Sequence, residues 1–494
     1  MNIIKKDMTM SKNQINKYLR ILFLSLVLTA CVPSLVRKTE NKSVPSGYNT
    51  AQKDSINSAQ QDTTNSGKIK WSAFYADSNL VALIDSALKN NQELNIIMQE
   101  IILANNEVRA RKGAYLPFLN VGVGAGMDKQ ARYTRLGAVD ENIEIKPGKA
   151  IPVPLGDFML GASASWEIDI WKKLRNSKKS AMMRYLASQQ GRDFMKTQLV
   201  AEIASSYYEL MALDNQLEIL KQNIEIQLNA LEIVKKEKLA ARVTELAVRR
   251  FEAEVAKNQS HQYFIMQAIV ETENRINFLV GRFPQPIARN SKSFPEQVPI
   301  AIYSGIPSQL LENRPDIRQA ESELAATKLD VRAAKANFFP SLMITAGGGY
   351  QAFNPQFLFT SPASIVYGLA GQLVQPVVNR NAIKTYYYSA NARQVQAAYN
   401  YERKILTGYI EVANQMSNLS NLEKSYTLKE QQVTALTQSI AISISLFKSA
   451  RADYMEVLLT QRDALESKFE LIEIKKQQMH AMVNIYSALG GGWN

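Results

Sequence analysis

The sequence predicts a mainly α-helical protein with an internal duplication, in which long paired helices flank short strands of the membrane β-barrel type. Three features indicate this fold. A segment repeats without a gap at a distance of 223 residues, two stretches of more than 115 residues lack proline, and four short runs alternate apolar with small or polar residues. A repeat of about 200 residues is too long for a solenoid unit and indicates a duplicated subdomain.

The two copies of the repeat run from Leu88 to Gly126 and from Leu311 to Gly349. Each copy is a helix-like stretch that stops at a proline, Pro117 or Pro340, and turns into a glycine-rich alternating run. The positions of the first copy that recur identically in the second are Leu88, Asn90, Glu100, Val108, Arg109, Ala110, Lys112, Pro117, Leu119, Gly124 and Gly126. The duplication predicts a pseudo-symmetric protomer.

The N-terminal segment has the features of an export signal. Basic residues precede the apolar run Ile21–Leu28, and Leu28-Thr29-Ala30-Cys31 fits a lipoprotein signal-peptidase box. Cys31 is the only cysteine of the chain, so no internal disulfide is possible and we expect this residue to be lipidated. The alternative is a chance cysteine after an ordinary signal peptide. Residues 1–30 are predicted as the signal peptide and 31–70, which are poor in large apolar residues, as a lipidated flexible tether.

The charge of the chain is basic but spread out along the sequence. The formal net charge of +13 falls to about +9 once the signal is removed. No block of Lys and Arg is interleaved with aromatic residues as in nucleic-acid-binding proteins, so we expect no nucleic acid partner. No run of 18 or more apolar residues follows the N-terminus, so the sequence predicts no ordinary transmembrane helix.

The proline-free stretches predict two long helical hairpins. Both are rich in good helix formers, and their apolar residues recur in steps of 3 and 4, as in the seam of packed helices. The turns are predicted near Leu239–Thr244 and Lys448–Asp453. A helix from about Lys172 to Leu239 is roughly 100 Å long at 1.5 Å per residue, so neighbouring helices must cover its apolar stripe along its whole length. The first seam is Leu199, Ile203, Ser206, Leu210, Leu213, Leu217, Leu220, Ile224, Gln227, Leu231 and Val234; the second is Ile405, Tyr409, Val412, Met416, Leu419, Tyr426, Val433, Ile440, Ile444 and Phe447.

The alternating runs predict strands at about 119–132, 158–170, 342–353 and 365–377. Apolar residues on one face and small or polar ones on the other, at these lengths, are typical of tilted strands crossing an outer membrane. A soluble sheet is the alternative. Four strands cannot close a barrel, and an open sheet edge in lipid leaves backbone amides unpaired. Several identical chains must therefore combine their strands in one closed barrel. Three copies give twelve strands around a lumen.

Several segments carry a resemblance to a known family. They are Trp71-x-x-Phe74 leading to Asn91, Arg314-Pro315-Asp316-Ile317-Arg318, and Phe338-Phe339-Pro340. With them the chain resembles the TolC-type outer membrane factors, most closely the NodT/OprM-like lipoprotein branch that serves resistance–nodulation–division efflux pumps. It departs from the family pattern at Ala450, where glycine is usual, and near Leu459, where an acid is usual.

The resemblance implies a homotrimer with a 12-stranded β-barrel in the outer membrane on a 12-helix α-barrel in the periplasm. It also implies outer membrane lipids, a periplasmic adaptor (membrane fusion) protein and an inner-membrane resistance–nodulation–division pump as partners. The expected function is the exit duct of a tripartite efflux pump, passively conducting drugs or other small molecules. The alternatives are a duct for type I protein secretion and a structural periplasmic coiled-coil lipoprotein.

The predicted domain organisation follows the duplication. A first repeat (71–285) contains a strand pair at about 119–170 and a helical hairpin at about 172–281, a linker spans 286–305, and a second repeat (306–494) contains a strand pair at about 342–377 and a hairpin at about 380–489.

The candidate site residues lie at the hairpin turns. By the resemblance, a periplasmic gate is expected at the second turn, with Arg451, Asp453, Tyr454 and Glu456 as candidates. Exposed charges at a helix start are the ordinary alternative. At the first turn, Arg242, Thr244 and Glu245 are candidates for adaptor contact or for capping the turn.

The sequence contains no pattern typical of an enzyme. The two histidines, His261 and His480, are far apart in predicted helices, and the glycine strings lack the spacing of a dinucleotide-binding loop. We therefore expect no catalysis, no cofactor and no bound metal.

Overall fold

The computed structural model describes residues 32–36, 38–48, 64–378, 380–449 and 451–494. The predicted signal peptide, the predicted lipidation site Cys31, residues 49–63 of the predicted tether and Ala450 lie outside the described residues. Within the described residues, none of the helices combines the length and the apolar character that a membrane crossing requires.

The chain divides into two compact units, each built from separate segments. The strand unit comprises Leu103–Tyr185, Ser322–Ala398 and the described residues up to Thr39. The helix unit comprises Glu40–Ile102, Leu186–Glu321 and Tyr399–Asn494. Because both units combine segments of both sequence copies, the predicted division into two successive repeats with a linker stays a prediction.

The described part of the chain is mainly helical. Its α-helices are α1 (Trp71–Phe74), α2 (Ser78–Asn90), α3 (Gln92–Gly113), α4 (Arg135–Asn142), α5 (Lys173–Leu239), α6 (Glu245–Val280), α7 (Leu310–Asn313), α8 (Pro315–Ala336), α9 (Asn381–Lys448) and α10 (Tyr454–Ala488). Helices α5 and α9 have 67 and 68 residues, so each is about 100 Å long at 1.5 Å per residue. Short 3-10 helices lie at Ser66–Lys68, Ser291–Glu296, Pro307–Gln309 and Pro355–Phe357.

The strand unit contains one four-stranded antiparallel sheet in the order β1-β4-β5-β6. Its strands are β1 (Phe118–Asp128), β4 (Leu155–Ile168), β5 (Ser341–Ala352) and β6 (Ile365–Val374), while β2 (Glu144–Lys146) and β3 (Lys149–Ala150) form a small separate hairpin. Glycines face each other across both the β1–β4 pair (Gly122 and Gly161) and the β4–β5 pair (Gly161 and Gly349). A Cβ atom on Gly349 would lie 2.5 Å from the Cα atom of Gly161, so this close approach requires glycine.

The predicted per-protomer fold is confirmed, although the ends of the strands differ from the predicted runs by up to four residues. The predicted run 158–170 corresponds to β4 at Leu155–Ile168, and the largest differences at the C-terminal end of a strand are those of β1 and β6. The first predicted run extends to Arg132, but β1 ends at Asp128, which pairs with Leu155, the first residue of β4. The last predicted run extends to Val377, but β6 ends at Val374, which pairs with the first residue of β5. In both cases the strand ends opposite the end of its partner strand. Residues beyond that point alternate in the sequence but have no backbone amide or carbonyl group of a neighbouring strand to hydrogen-bond with.

The connector between β1 and β4 contains helix α4, which the sequence did not predict. The hydroxyl of Thr134 accepts a hydrogen bond from the Gly137 amide at 3.2 Å and caps the helix. Arg132 forms an ion pair with Glu141 across the same segment. The apolar pattern of eight residues is too short to reveal such a helix.

The first predicted seam is buried in the helix unit. Its residues are buried except for Leu213 and Leu217, which are half-buried. The second seam differs, because only Ile405 and Val412 are buried and its other residues are half-buried. A single chain therefore covers the stripe of α5 more completely than the stripe of α9.

The described part of the predicted tether lies against each unit. In the helix unit, Lys42 forms an ion pair with Glu321 at 2.6 Å, and the ring of Tyr48 stacks on Tyr409 at 5.4 Å. In the strand unit, Val32 and Leu35 pack against a buried cluster that contains Phe338 and Tyr387. The described part of this segment therefore makes specific contacts that its composition did not indicate, and the flexible tether stays a prediction.

Candidate gate at the hairpin tips

The first hairpin turn connects α5 to α6 in the helix unit. After Leu239 the chain reverses with the Arg242 amide donating to the carbonyl oxygen of Glu237 at 2.9 Å. Thr244 is the N-cap residue of α6, in extended conformation, and its side chain makes no capping hydrogen bond. Glu245 opens the helix, where a carboxylate is favoured by the positive end of the helix dipole.

Ion pairs surround the first turn. Glu245 pairs with Lys238 across the turn and with Arg249 one helical turn along, at 2.8 Å. The hydrogen bond from Lys238 is the main cause that lowers the pKa of Glu245. Arg242 lies 3.4 Å from a carboxylate oxygen of Glu237. Two of the three predicted residues of this tip, Arg242 and Glu245, therefore hold the turn itself through exposed charges.

The second hairpin turn connects α9 to α10. The Arg451 amide donates to the carbonyl oxygen of Leu446 at 2.9 Å, and Asp453 is the N-cap residue of α10. The Asp453 side chain makes no capping hydrogen bond; only its carbonyl oxygen accepts from the Glu456 amide, at 3.1 Å. The side chains of Arg451, Asp453 and Glu456 are exposed. These three charged side chains of the predicted gate are therefore accessible to other molecules.

Tyr454 has a different position from these three residues. It is half-buried and packs, with Phe447, against the buried cluster that includes Val248 and Phe251 of the first hairpin. Next to it, the Arg250 guanidinium lies 3.2 Å from the sulfur of Met455. The structure therefore brings the two hairpin turns together at one end of the helix unit, with Tyr454 in their shared apolar core.

A shallow cleft of about 380 Å³ lies beside the second turn, between α9 and α10. Glu456 and Asp463 line it, with Leu459 between them. Asp463 was not among the predicted residues, although its spacing of seven from Glu456 places both on one helix face. Asp463 pairs with the neighbouring Arg462 at 3.3 Å. Leu459 is exposed at 39%.

The two histidines lie apart from the turns. His480 donates from Nε2 to the carbonyl oxygen of Ser205 at 3.0 Å, and burial lowers its pKa. The ring of His261 lies 6.0 Å from that of Phe469. Among the residues that the structure describes, no group of His, Cys, Asp and Glu is arranged to hold a metal ion.

The comparisons with known proteins agree with this architecture. The family model described as outer membrane efflux protein matches residues 83–282 and 306–491. The pyoverdine export outer membrane protein OpmQ of Pseudomonas aeruginosa is 27% identical over 426 residues, which are 86% of this chain and 87% of that protein. The cation efflux system protein CusC of Escherichia coli K12 is 25% identical over 471 residues, 95% of this chain and 98% of that protein. The probable outer membrane lipoprotein SilC of Salmonella typhimurium is 23% identical over 468 residues, 94% of this chain and 97% of that protein.

Solved structures share the fold. A crystal structure of CusC has a TM-score of 0.77 at 23% identity and covers 93% of this chain and 99% of its own. The open state of the Neisseria gonorrhoeae MtrE outer membrane channel has a TM-score of 0.79 at 20% identity, covering 94% and 99%.

The family match confirms the expected family, fold class, efflux function and outer membrane location. It also confirms the coarse partner prediction, that of a channel serving an efflux system. The family is one of transport channels and not of enzymes. The chain belongs to the outer membrane efflux protein family and is an efflux protein of the outer membrane.

Proposed function

We propose that three copies of this chain form the exit duct of a tripartite efflux pump, a passive conduit for small molecules. The observation that carries the proposal is the open sheet. All residues of β1 and all residues of β6, the two outer strands, are exposed in the single chain. Exposed edges in lipid cost several kcal/mol for each unpaired amide, so these two strands need partners.

The strand directions allow the two edges to serve each other. Neighbours in the sheet are antiparallel throughout, so β1 and β6 at opposite edges run in opposite directions. The β6 edge of one copy therefore pairs with the β1 edge of the next copy without breaking the alternation. Three copies close a ring of twelve strands, whose lumen is wide enough to conduct.

The half-buried seam of α9 supports the same assembly. Its apolar residues beyond Val412 remain half-buried in the single chain. A neighbouring copy that covers this stripe removes apolar surface from water, worth about 25 cal/mol for each Å². The helices and the sheet thus both lack neighbours that another copy supplies.

Disulfide crosslinking tests the closed ring, because Cys31 is the only native cysteine. One cysteine replaces Val121 in β1, and a second is scanned through Val366, Gly368 and Ala370 in β6, with the single variants as matched controls. We expect at least one double variant to give covalent trimers on a denaturing gel, while single variants give none. Covalent dimers without trimers, or a monodisperse monomer in detergent, would reject the proposal.

For the gate, we propose that the exposed charges Arg451, Asp453 and Glu456 line the periplasmic opening, and that Tyr454 fixes the turn that carries them. Three copies of one charge in a narrow pore set its ion preference. Arg242, Thr244 and Glu245 at the first turn are proposed as the contact for a periplasmic adaptor. The exposure of both turns at one end of the helix unit supports these assignments.

Lipidation of Cys31 is proposed as the anchor. The lipobox supports it, and the relative SilC is named a lipoprotein. Mass spectrometry of the purified chain is expected to show an acylated N-terminal Cys31, and a Cys31→Ser variant is expected to lack the lipid. An unmodified cysteine in the mature native chain would contradict the assignment.

The proposed partners are a periplasmic adaptor and an inner-membrane pump of the resistance–nodulation–division class. Relatives are named for export of pyoverdine, of toluene and of cations, all of them small species, which favours small molecules over secreted proteins. A structural coiled-coil lipoprotein, the remaining alternative, does not account for a sheet with two exposed edges. The decisive measurement is the toxin susceptibility of a strain that lacks this gene, with and without the pump genes. If the two deletions increase the susceptibility additively, the channel and the pump act independently and the proposed partnership is wrong.

A further inference from the structure

Aromatic side chains form a band at one end of the sheet, where β1 and β5 begin and β4 and β6 end. Trp171 stacks on Phe339 with ring centroids 4.6 Å apart, and its Nε1 donates to the carbonyl oxygen of Pro340 at 2.8 Å. Trp166 donates from Nε1 to the carbonyl oxygen of Tyr115 at 3.1 Å. Both tryptophans remain partly exposed, at 37% and 41%. Tryptophan and tyrosine in such a band are typical of a membrane–water interface.

Basic residues follow the aromatic band on the helical side. The ten residues that flank each strand at this end are 108–117, 169–178, 331–340 and 375–384; together they contain eleven Lys and Arg and one acid, Asp169. The connectors at the other end of the sheet, 129–154 and 353–364, contain five Lys and Arg and three acids. The charge is therefore concentrated at one end, although it is scattered through the sequence in four separate segments.

Six of these basic side chains are exposed and have no acidic partner among the residues that the structure describes; they are Arg109, Lys112, Lys172, Arg332, Lys335 and Lys384. They are called the basic collar here. Arg109 and Lys112 recur as Arg332 and Lys335 in the second copy of the sequence repeat. The same two charges therefore precede both β1 and β5.

We propose that the basic collar binds the anionic phospholipid headgroups of the membrane leaflet that faces the helices. This inference rests on the proposed function, since it requires that the strands cross the membrane. The aromatic band places the edge of the hydrocarbon at Trp166 and Trp171, and the collar follows within about three helical turns, at headgroup depth. Each Lys or Arg near an anionic surface is worth about a fivefold change in affinity.

Anionic lipid fits the collar better than a protein partner does. A protein interface requires an apolar centre, whereas the collar residues lie one or two to a segment on four different segments, around an aromatic band whose side chains already contact the strand ends. Lysine side chains bring a mobile charge to a headgroup and need no fixed geometry. An extended anionic surface that touches all four segments at once satisfies this arrangement.

The test uses the fluorescence of the tryptophans in the full-length protein reconstituted into vesicles. Tryptophan quenching is measured in vesicles of phosphatidylcholine that contain brominated phosphatidylglycerol, and again with the bromine on the phosphatidylcholine instead. The ratio of the two gives the enrichment of the anionic lipid around the protein. The triple variant Lys112→Gln, Lys335→Gln, Lys384→Gln removes three collar charges. The control Lys221→Gln, Lys236→Gln, Lys424→Gln removes three exposed charges from the long helices, with the same change in net charge.

We expect phosphatidylglycerol to be enriched around the wild-type protein and the control, and the enrichment to fall by at least about fivefold in the collar variant, which is the effect of one lost charge. It should also fall in 1 M NaCl, where exposed charges are screened within about 3 Å. Equal enrichment in the collar variant, an equal loss in the control, or abolition by free inorganic phosphate alone would overturn the proposal.

Channel conductance separates this inference from the proposed function. A protein that inserts and conducts without preferring phosphatidylglycerol refutes the collar only, whereas one that does not conduct refutes the function. If the triple variant does not fold by circular dichroism, the three single variants and the salt response of the wild-type protein decide.

Discussion

The carbonyl oxygen of Asn313 lies 2.5 Å from the point where a Cβ atom on Gly490 would stand, and Asn90 stands in the same relation to Gly281, also at 2.5 Å. Gly490 and Gly281 have φ angles of +88° and +79°. Asn90 and Asn313 are identical positions of the sequence repeat. The duplication is therefore preserved as a packing unit, in which the end of a long hairpin turns on a glycine against the end of a short helix.

Substitution of either glycine by alanine is expected to destabilise the helix unit. The left-handed backbone costs about 1–2 kcal/mol for a residue with a Cβ atom, and the contact with a backbone carbonyl adds to it. We expect Gly490→Ala and Gly281→Ala each to lower stability by at least about 2 kcal/mol, measured by thermal unfolding in detergent. Gly113→Ala, where a Cβ atom meets nothing within 4 Å, is the control and should change stability by less than about 0.5 kcal/mol.

Arg314 and Asp316 form a buried ion pair that holds three helices. Two guanidinium nitrogens of Arg314 each donate to Asp316 at 3.0 Å, and the remaining one donates to Glu411 at 2.6 Å and to the carbonyl oxygen of Ala488 at 2.9 Å. The two side chains are exposed at 6% and 4%. This fork accounts for the Arg-Pro-Asp segment that the sequence singled out.

We expect Arg314→Met to destabilise the protein by about 3–5 kcal/mol, because it removes the guanidinium fork from the buried Asp316 carboxylate and leaves it only the Lys404 ammonium, at 3.6 Å. Arg314→Lys should recover only part of this loss, since an ammonium group cannot reproduce the fork. Arg249→Met, which removes the two ion pairs of a side chain that is 70% exposed, is the control and should leave the unfolding temperature close to that of the wild-type protein. An equal cost for the two methionine variants would contradict the role assigned to Arg314.

Asp453 offers a clean test of the gate. Its side chain makes no capping hydrogen bond, so Asp453→Ala should change thermal stability by less than about 0.5 kcal/mol. We expect the same variant to change single-channel conductance or cation preference in planar bilayers, because three carboxylates leave the pore. Thr244→Ala, at the uncapped N-cap of the first hairpin, should leave conductance unchanged. Unaltered conductance, selectivity and voltage response in Asp453→Ala would remove this residue from the gate.

His480 should make stability depend on pH. Burial lowers its pKa below the ordinary value of 6.5, so the unfolded chain binds a proton more readily than the folded chain. The stability that comes from the neutral ring is fully present above about pH 6.5 and is lost as pH falls below it. Between pH 7.5 and 5.5 the melting temperature of the wild-type protein should fall more than that of His480→Gln. Parallel curves for the two proteins would contradict this assignment.

The sequence by itself determined the helices, the turns between them and the strands. The seam from Leu199 to Val234 repeats every 3.5 residues, and the run from Phe158 to Ile168 alternates, so local periodicity alone selects helix or strand. The repeat and the Arg-Pro-Asp segment also identified the family before any coordinates. The helix and strand periodicities and the Arg-Pro-Asp segment are visible in the sequence because each depends on residues a few positions apart.

Only the tertiary structure decided which distant residues meet. Tyr454 packs against a buried cluster of the first hairpin, and Lys42 and Tyr48 of the predicted tether contact helices more than 250 positions away. The basic collar is scattered in the sequence and is assembled by antiparallel strand pairing. Contacts between residues that are far apart in the sequence leave no local periodicity, so they are known only from the tertiary structure.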